Sequence, residues 1–405
     1  MSTSQETYKL KKDTNKYFWL LLIYSLLPGI YKIANNQLLM LGSIPIIIIL
    51  FSFSKRNIKS YKYDVPFLFF IFYIVFQSIF WFFFPITNKI GLMMGIYMNI
   101  IPMTGYFISK SINIDAFSKG MLKVVLIHCI IGIILYPVFG IADRSLPIVN
   151  ALREGVAIGR MASVSGSLGF GNLLMIGFII SFFTDKRYLL PIGACLILSL
   201  QRSAWVGGLF AIFLYLFSLI KRGNLFKTFT SVAVFAGIVL IISIIITNYI
   251  DIDFGYLTAR FNSVDNAGSE RFGQWANGIN NFKDFPLGTG VGQVGQFASR
   301  YDEAQSIFNK VPDGDYFRVL SEYGIVGSLF CLYVVIAFFF SLFFVNLKLK
   351  NNLLILSLIG GELIQMIGSN ISEFYFTNFI YWMIFGYFFA LLGENYSFKT
   401  INNKQ

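Results

Sequence analysis

GIVGSLFCLYVVIAFFFSLFFVN, residues 324–346, contains no charged side chain. A run of this length matches the 17 to 25 residues, roughly, that a helix needs to cross about 30 Å of hydrocarbon. The rest of the chain has the same character: of 405 residues, 56% are hydrophobic, 18% aromatic and only 13% charged. A soluble domain carries about a quarter charged residues, so an ordinary globular protein is excluded. Only helices and closed barrels satisfy their own backbone in lipid, and barrels alternate over about 10 residues. These runs are continuous, which predicts an all-α, polytopic membrane protein.

Working outward from this run, comparable stretches occupy Tyr17–Tyr31, Gln37–Phe53, Val65–Phe84, Ile90–Ser109, Met121–Ile141, Asn172–Phe183, Tyr188–Leu200, Ala204–Ile220, Lys227–Tyr249, Asn352–Ser369 and Phe374–Leu392. With 324–346 they give about 12 spans. The two from Asn172 and Tyr188 are short and read as extended helices or a re-entrant pair. The division is residues 1–250 as nine spans, 251–323 as one large polar loop, and 324–405 as three spans with a tail. The first run lacks a small-residue cleavage site and reads as a retained span. Cys129, Cys195 and Cys331 all fall inside apolar runs and suggest neither a disulfide framework nor a metal site.

The formal charge of +12 reports orientation rather than nucleic-acid binding. Alternate connections beginning with the N-terminal tail hold about 20 of the 32 basic residues. Both termini are therefore expected to be cytoplasmic and the 251–323 loop outward. Lys outnumbers Arg about 17 to 3 on the inner side, whereas Arg leads about 8 to 4 on the outer side. Topology needs only positive charge, while the planar guanidinium fork suits phosphate. The partition suggests an anionic ligand outside; local salt bridges would account for it as well.

Several outer positions are candidates. Arg160 precedes a small-residue segment ending at Gly171, and Arg202 sits in the Gln201-Arg202-Ser203 turn, as a ligand or as an interfacial anchor. Arg271, Trp275, Gly278 and Phe282 recur at helical spacing, with the aromatic side expected to pack on the membrane-embedded body. Pro286 to Gly292, with Gly288, Gly290 and Gly292, could present backbone amides to an anion. It lacks the context of a P-loop or dinucleotide motif. Asp313–Tyr323 is expected to be helical, with Asp315, Arg318 and Glu322 on one face, as a salt-bridge stripe or a carboxylate held beside an arginine. The Asp-x-Asp pairs at 251/253 and 313/315 are too common to predict a metal, and none is expected. Glu362, Gln365 and Ser369 form a polar stripe inside an apolar run, read as functional or as helix packing. His128, the only histidine, reads as structural, so no triad chemistry is expected.

Taken in order, Arg160 to Asn172, Gln201-Arg202-Ser203-Ala204, Arg271-Phe272 with Trp275, Pro286 to Gly292, and Tyr316 to Gly327 resemble the superfamily of bacterial O-antigen polymerases and O-antigen ligases. The resemblance covers about Arg160 to Gly327. It implies an inner-membrane glycosyltransferase of the GT-C type, acting without nucleotide, metal or cofactor on undecaprenyl-pyrophosphate-linked glycans. Arg160, Arg202 and Arg271 are then expected to neutralise the pyrophosphate, with Arg318 in support. Asp313 is the first choice of base for the acceptor hydroxyl, and Asp315 or Glu322 the alternates. Ligases of this family usually carry a His-Asn pair just before the Tyr-x-x-Leu helix; Asp313 and Gly314 stand there. That departure favours a polymerase over a ligase transferring glycan to lipid A-core. A lipid-linked oligosaccharide flippase is the alternative of another class, but it predicts charges along a central cavity and internal repeats. A chain-length regulator and a flippase are the implied partners.

Overall fold

The computed structural model describes residues 2–34, 41–54, 61–85, 87–136, 146–153, 160–223, 230, 264–295, 298, 308–311 and 313–402. Within these the chain is helical and has no strand, only an isolated bridge between Ser163 and Gly166. In chain order the α-helices are α1 (Ser2–Ala34), α2 (Ser43–Ser54), α3 (Val65–Phe82), α4 (Lys89–Ser109), α5 (Ile114–Ile134), α6 (Pro147–Arg153) and α7 (Gly166–Phe183). They continue with α8 (Leu189–Leu198), α9 (Arg202–Lys221), α10 (Val264–Asp284), α11 (Asp315–Phe344), α12 (Lys350–Gln365) and α13 (Tyr375–Asn402).

Seven segments are long and apolar enough to cross a membrane, in α1, α3, α4, α5, α9, α11 and α13. The protein is thus an all-α polytopic membrane protein. The shorter α2, α7, α8 and α12 fall on four further expected runs. The run expected at 227–249 lies, apart from Thr230, outside the described residues. The helix α7 starts at Gly166, six residues before the expected start at Asn172. Gly171 lets this added turn lie against Gln201, since a Cβ there would stand 1.8 Å from Gln201 Oε1.

The most enclosed helix is α13, which lies along α4; Gly105 of α4 and Gly386 of α13 allow this close approach. A second close contact joins α9 to α12, where a Cβ on Gly207 would lie 2.9 Å from Gly361 O. Small residues let membrane helices approach to backbone contact, and the Gly360–Gly361 pair serves that purpose. At the lysine-bearing end, buried Asp64 accepts from Tyr106 Oη at 2.6 Å and from Lys110 Nζ, tying the start of α3 to the end of α4.

The helix α11 is broken. Gly324 has φ 60 and ψ −144, so the helix runs from Asp315 to Tyr323, turns, and resumes at Ile325. A break in an apolar helix frees amides and carbonyls that must find partners inside the protein. The segment Pro286 to Gly292 supplies them. Thr289 N donates to Ser321 O at 2.9 Å, Gly290 N to Glu322 O at 3.1 Å, and Ile325 N to Pro286 O at 2.9 Å. One flank of α3 holds this segment in turn: Tyr73 Oη donates to Leu287 O, Gln77 Nε2 to Leu287 O at 2.6 Å and Glu322 O at 2.9 Å, and Trp81 Nε1 to Gly288 O at 3.2 Å. Gln77 is the one amide side chain in the run of α3, a signal for this contact.

Candidate functional site

The first half of α11 carries a closed ionic network. Arg318 is 1% exposed, and its Nε donates to Asp315 Oδ1 at 3.0 Å. Its two remaining nitrogens reach Glu322 Oε2 and Ser372 Oγ. Ser372 closes the ring, donating from its amide to Asp315 Oδ2 at 3.0 Å and from its hydroxyl to Asp315 Oδ1 at 2.7 Å. The other Glu322 oxygen accepts from Gly292 N at 2.9 Å. Burial of these charges is tolerable only because each is paired and hydrogen-bonded.

Two sequence expectations change here. Gly288, Gly290 and Gly292 do adopt positive φ, at 85, 95 and 74. Their amides are nonetheless spent internally, on Phe285 O, Glu322 O and the Glu322 carboxylate. One of the three amides meets an anion, the protein's own Glu322 carboxylate, and the other two meet carbonyls, because the segment is needed to mend the broken helix. The salt-bridge stripe of Asp315, Arg318 and Glu322 exists, yet it faces inward. All oxygens of Asp315 and Glu322 are engaged and both residues are fully buried. In this arrangement neither serves as a base open to a substrate, and Arg318 has carboxylates where a phosphate was expected.

The other three arginines gather elsewhere, around the turn between α8 and α9. Leu200 has φ 52, the one non-glycine residue in the left-handed region among the described residues. Such strain persists only where the surroundings enforce it. Arg160 Nη2 donates to Leu200 O at 3.3 Å, and Met161 N to Leu198 O at 2.9 Å, so the segment carrying Arg160 is laid against the turn. His128 Nδ1 pairs with Ser163 Oγ and fixes the same segment to α5, which is the structural part expected of it. Arg202 is the first residue of α9, whose first turn has no acidic residue. Its charge adds to the positive end of the helix dipole rather than offsetting it.

Arg271 arrives from α10. A Cβ on Gly368 would lie 3.6 Å from Arg271 Nη1 and 3.4 Å from Ser203 Cβ, so the end of α12 sits between them. Ser369 fixes that junction, 2.9 Å from Ser203 Oγ and accepting from Gln201 Nε2 at 3.2 Å. As expected, the aromatic side of α10 packs on the body: Trp275 stacks on Phe317 at 5.0 Å and 13°. Asp313 is half-buried next to Gly314, whose Cβ would lie 2.9 Å from Trp275 Nε1 and 3.2 Å from Ile367 O. Asp315 N donates to Met366 O at 2.8 Å. Residues 366–369 therefore border Gly314 and Asp315, the two residues after Asp313, on one side and Arg271 and Ser203 on the other.

Below this junction, Asn172 Nδ2 of α7 lies within 3.1 Å of both Glu362 oxygens and within 2.9 Å of Gln365 Oε1 on α12. The polar stripe of α12 is thus a helix-joining network continuous with Ser369. Sequence reasoning missed Asn172 and Ser372 as partners, although the polar run Ser369 to Glu373 between two apolar runs was a signal. Asp251 and Asp253 lie outside the described residues.

Residues 188–333 match the family model described as O-antigen ligase. The match takes in Arg202, Arg271, Asp313, Arg318 and the break at Gly324, and leaves Arg160 outside it. Over that stretch the chain is similar to the O-antigen ligase family, which supports a place in the O-antigen ligase and polymerase superfamily. No curated protein matches the chain.

Proposed function

We propose that this protein polymerises undecaprenyl-pyrophosphate-linked oligosaccharide repeats into O-antigen or a related surface polysaccharide at the outer face of the inner membrane, with both termini cytoplasmic. The observation that carries the proposal is that Arg160 and Arg202 meet at residues 200–203 and Arg271 reaches Gly368 beside Ser203, while Gly314, the residue after Asp313, meets Ile367 on the other side of the same segment. Three cations beside a helix N-terminus suit a pyrophosphate.

Asp313 takes the proton of the acceptor hydroxyl as that oxygen bonds to the anomeric carbon of the donor. The bond from that carbon to the pyrophosphate breaks, and the arginines neutralise the charge left on the departing undecaprenyl pyrophosphate. Arg318, with Asp315 and Glu322, holds the short helix that follows Asp313 in place. What favours a polymerase over a ligase is that Asp313-Gly314 stand where ligases carry His-Asn, and that the only histidine is buried against Ser163.

The test is deletion in the native host, with wild type or Arg271→Ala restored. Loss of the glycan ladder with one repeat still attached to lipid A-core supports a polymerase. Polymer accumulating on the lipid carrier would mean a ligase, and repeats trapped on the inner leaflet would mean a flippase.

A further inference from the structure

On α10, Trp275, Gly278 and Asn281 meet α11, and Gly273, Asn280 and Asp284 are exposed on the far side. Between these faces runs an edge against which no other described helix packs: Phe272, Ala276 and Ile279, at i, i+4 and i+7, are all exposed, Phe272 by 66% and Ile279 by 40%, and the one ring contact of Phe272 is with Trp275 of the same helix. Lys283 ends the row one turn later. We infer that this edge lies in the bilayer, at the boundary of headgroups and acyl chains in the leaflet at the arginine-bearing end.

Depth gives the first argument. The second half of α11, from Ile325 to Phe344, is about 30 Å long and spans the hydrocarbon by itself. The break at Gly324 then falls at the membrane boundary, and the first half of α11 stands in the headgroup layer. The helix α10 packs on that first half, through Trp275 on Phe317 and Asn281 Nδ2 donating to Ser321 Oγ at 2.8 Å. It therefore lies at the same level.

Continuity gives the second. Three residues beyond α10 comes Leu287, 67% exposed and bonded through its carbonyl to Tyr73 and Gln77 of α3. The flank of α3 beside it exposes Phe76 by 61%, Phe80 by 50% and Phe83 by 77%, the surface of a membrane-spanning helix. The row on α10 extends this lipid-facing surface. An amphipathic helix of low net hydrophobicity is the form that lies in an interface, and Lys283 can lift its ammonium to the headgroups.

Resting on the proposed function, this depth puts Arg271 where the pyrophosphate of a membrane-anchored glycan travels. The inference about lipid is tested without any activity. Nitroxides are placed on single added cysteines at positions 272, 276, 279, 273 and 280 of the full-length protein in phospholipid vesicles, with unsubstituted protein as background. Collision with oxygen, which concentrates in the bilayer, is compared with collision with a water-soluble nickel chelate. Oxygen should dominate at 272, 276 and 279, and nickel at 273 and 280. Nickel dominating at all five positions would put the edge in water, and neither reagent reaching 272, 276 and 279 would mean that protein covers it. Either result overturns the inference.

Discussion

Replacing Gly324 with alanine attacks the break in α11 directly. The residue's φ of 60 and ψ of −144 is a conformation that only glycine adopts without strain, and forcing another residue there costs about 1–3 kcal/mol. The added methyl would stand 2.2 Å from Pro286 O, 2.5 Å from Gly288 N and 2.6 Å from Leu287 C. All three are backbone atoms, so no side chain can rotate aside, and overpacking adds roughly 1–3 kcal/mol. If the loop retreats, the bonds from Thr289, Gly290 and Ile325 lengthen, at about 1 kcal/mol each. The expected total is about 3–5 kcal/mol, a large part of the stability of a folded domain. Melting of the purified protein in detergent, followed by tryptophan fluorescence, should fall on the order of 10 °C. Gly223→Ala is the control, because Gly223 also has positive φ, 74, but a Cβ there meets nothing within 4 Å among the described residues. It should lose only about 1 kcal/mol. If Gly324→Ala melts with the wild type, the loop does not close the break and the account of the glycine-rich segment is wrong.

Arg202→Lys and Arg271→Lys should keep the protein folded and shorten surface glycan chains, with turnover on purified lipid-linked repeats falling about 30-fold or more for the loss of some 2–3 kcal/mol of charge stabilisation. Full chain-length distributions in both variants would rule out bidentate phosphate binding there. Asp313→Asn should abolish turnover with little change in melting, whereas Asp315→Asn should lower melting through its contacts with Arg318 and Ser372; the reverse pattern would mean that the base is Asp315. Arg318→Ala strands two buried carboxylates and should cost about 3–5 kcal/mol, read as loss of folded protein in membranes. Wild-type yield and melting of that variant would contradict the closed network.

The helical architecture was legible because membrane spans are written as uncharged runs, and the lipid leaves the chain little choice but to form helices there. The break at Gly324 was not. The charged stretch 313–323 gives way there to the uncharged run from 324, but that change marks the edge of a span rather than a break in a helix, and a single glycine says nothing of its ψ. The segment Pro286 to Gly292 was read as a backbone nest for a ligand anion, but Gly288 N and Gly290 N go to carbonyls and Gly292 N alone meets a carboxylate. Local sequence could not say that the anion is Glu322, because that pairing joins residues 30 apart. The separation of Arg from Lys along the chain pointed to Arg160, Arg202 and Arg271 before any coordinates. The proposed site joins them to Asp313 through Leu200, Gly368 and Ser369, whose positions exist only once α8, α9 and α12 have packed.

The mended helix also sets an order of assembly. A chain is made from its N-terminus, so α3 and then the segment from Pro286 to Gly292 exist before Ser321 and Glu322 are synthesised. The carbonyls of those two residues have a waiting partner as soon as they reach the membrane. Arg318 has no such provision on its other side, since Ser372 lies 54 residues downstream. A ribosome stalled after the second half of α11 has emerged but before Ser372 is made would leave that helix inserted and the ionic ring open, so the arrival of Ser372 closes the ring around Arg318.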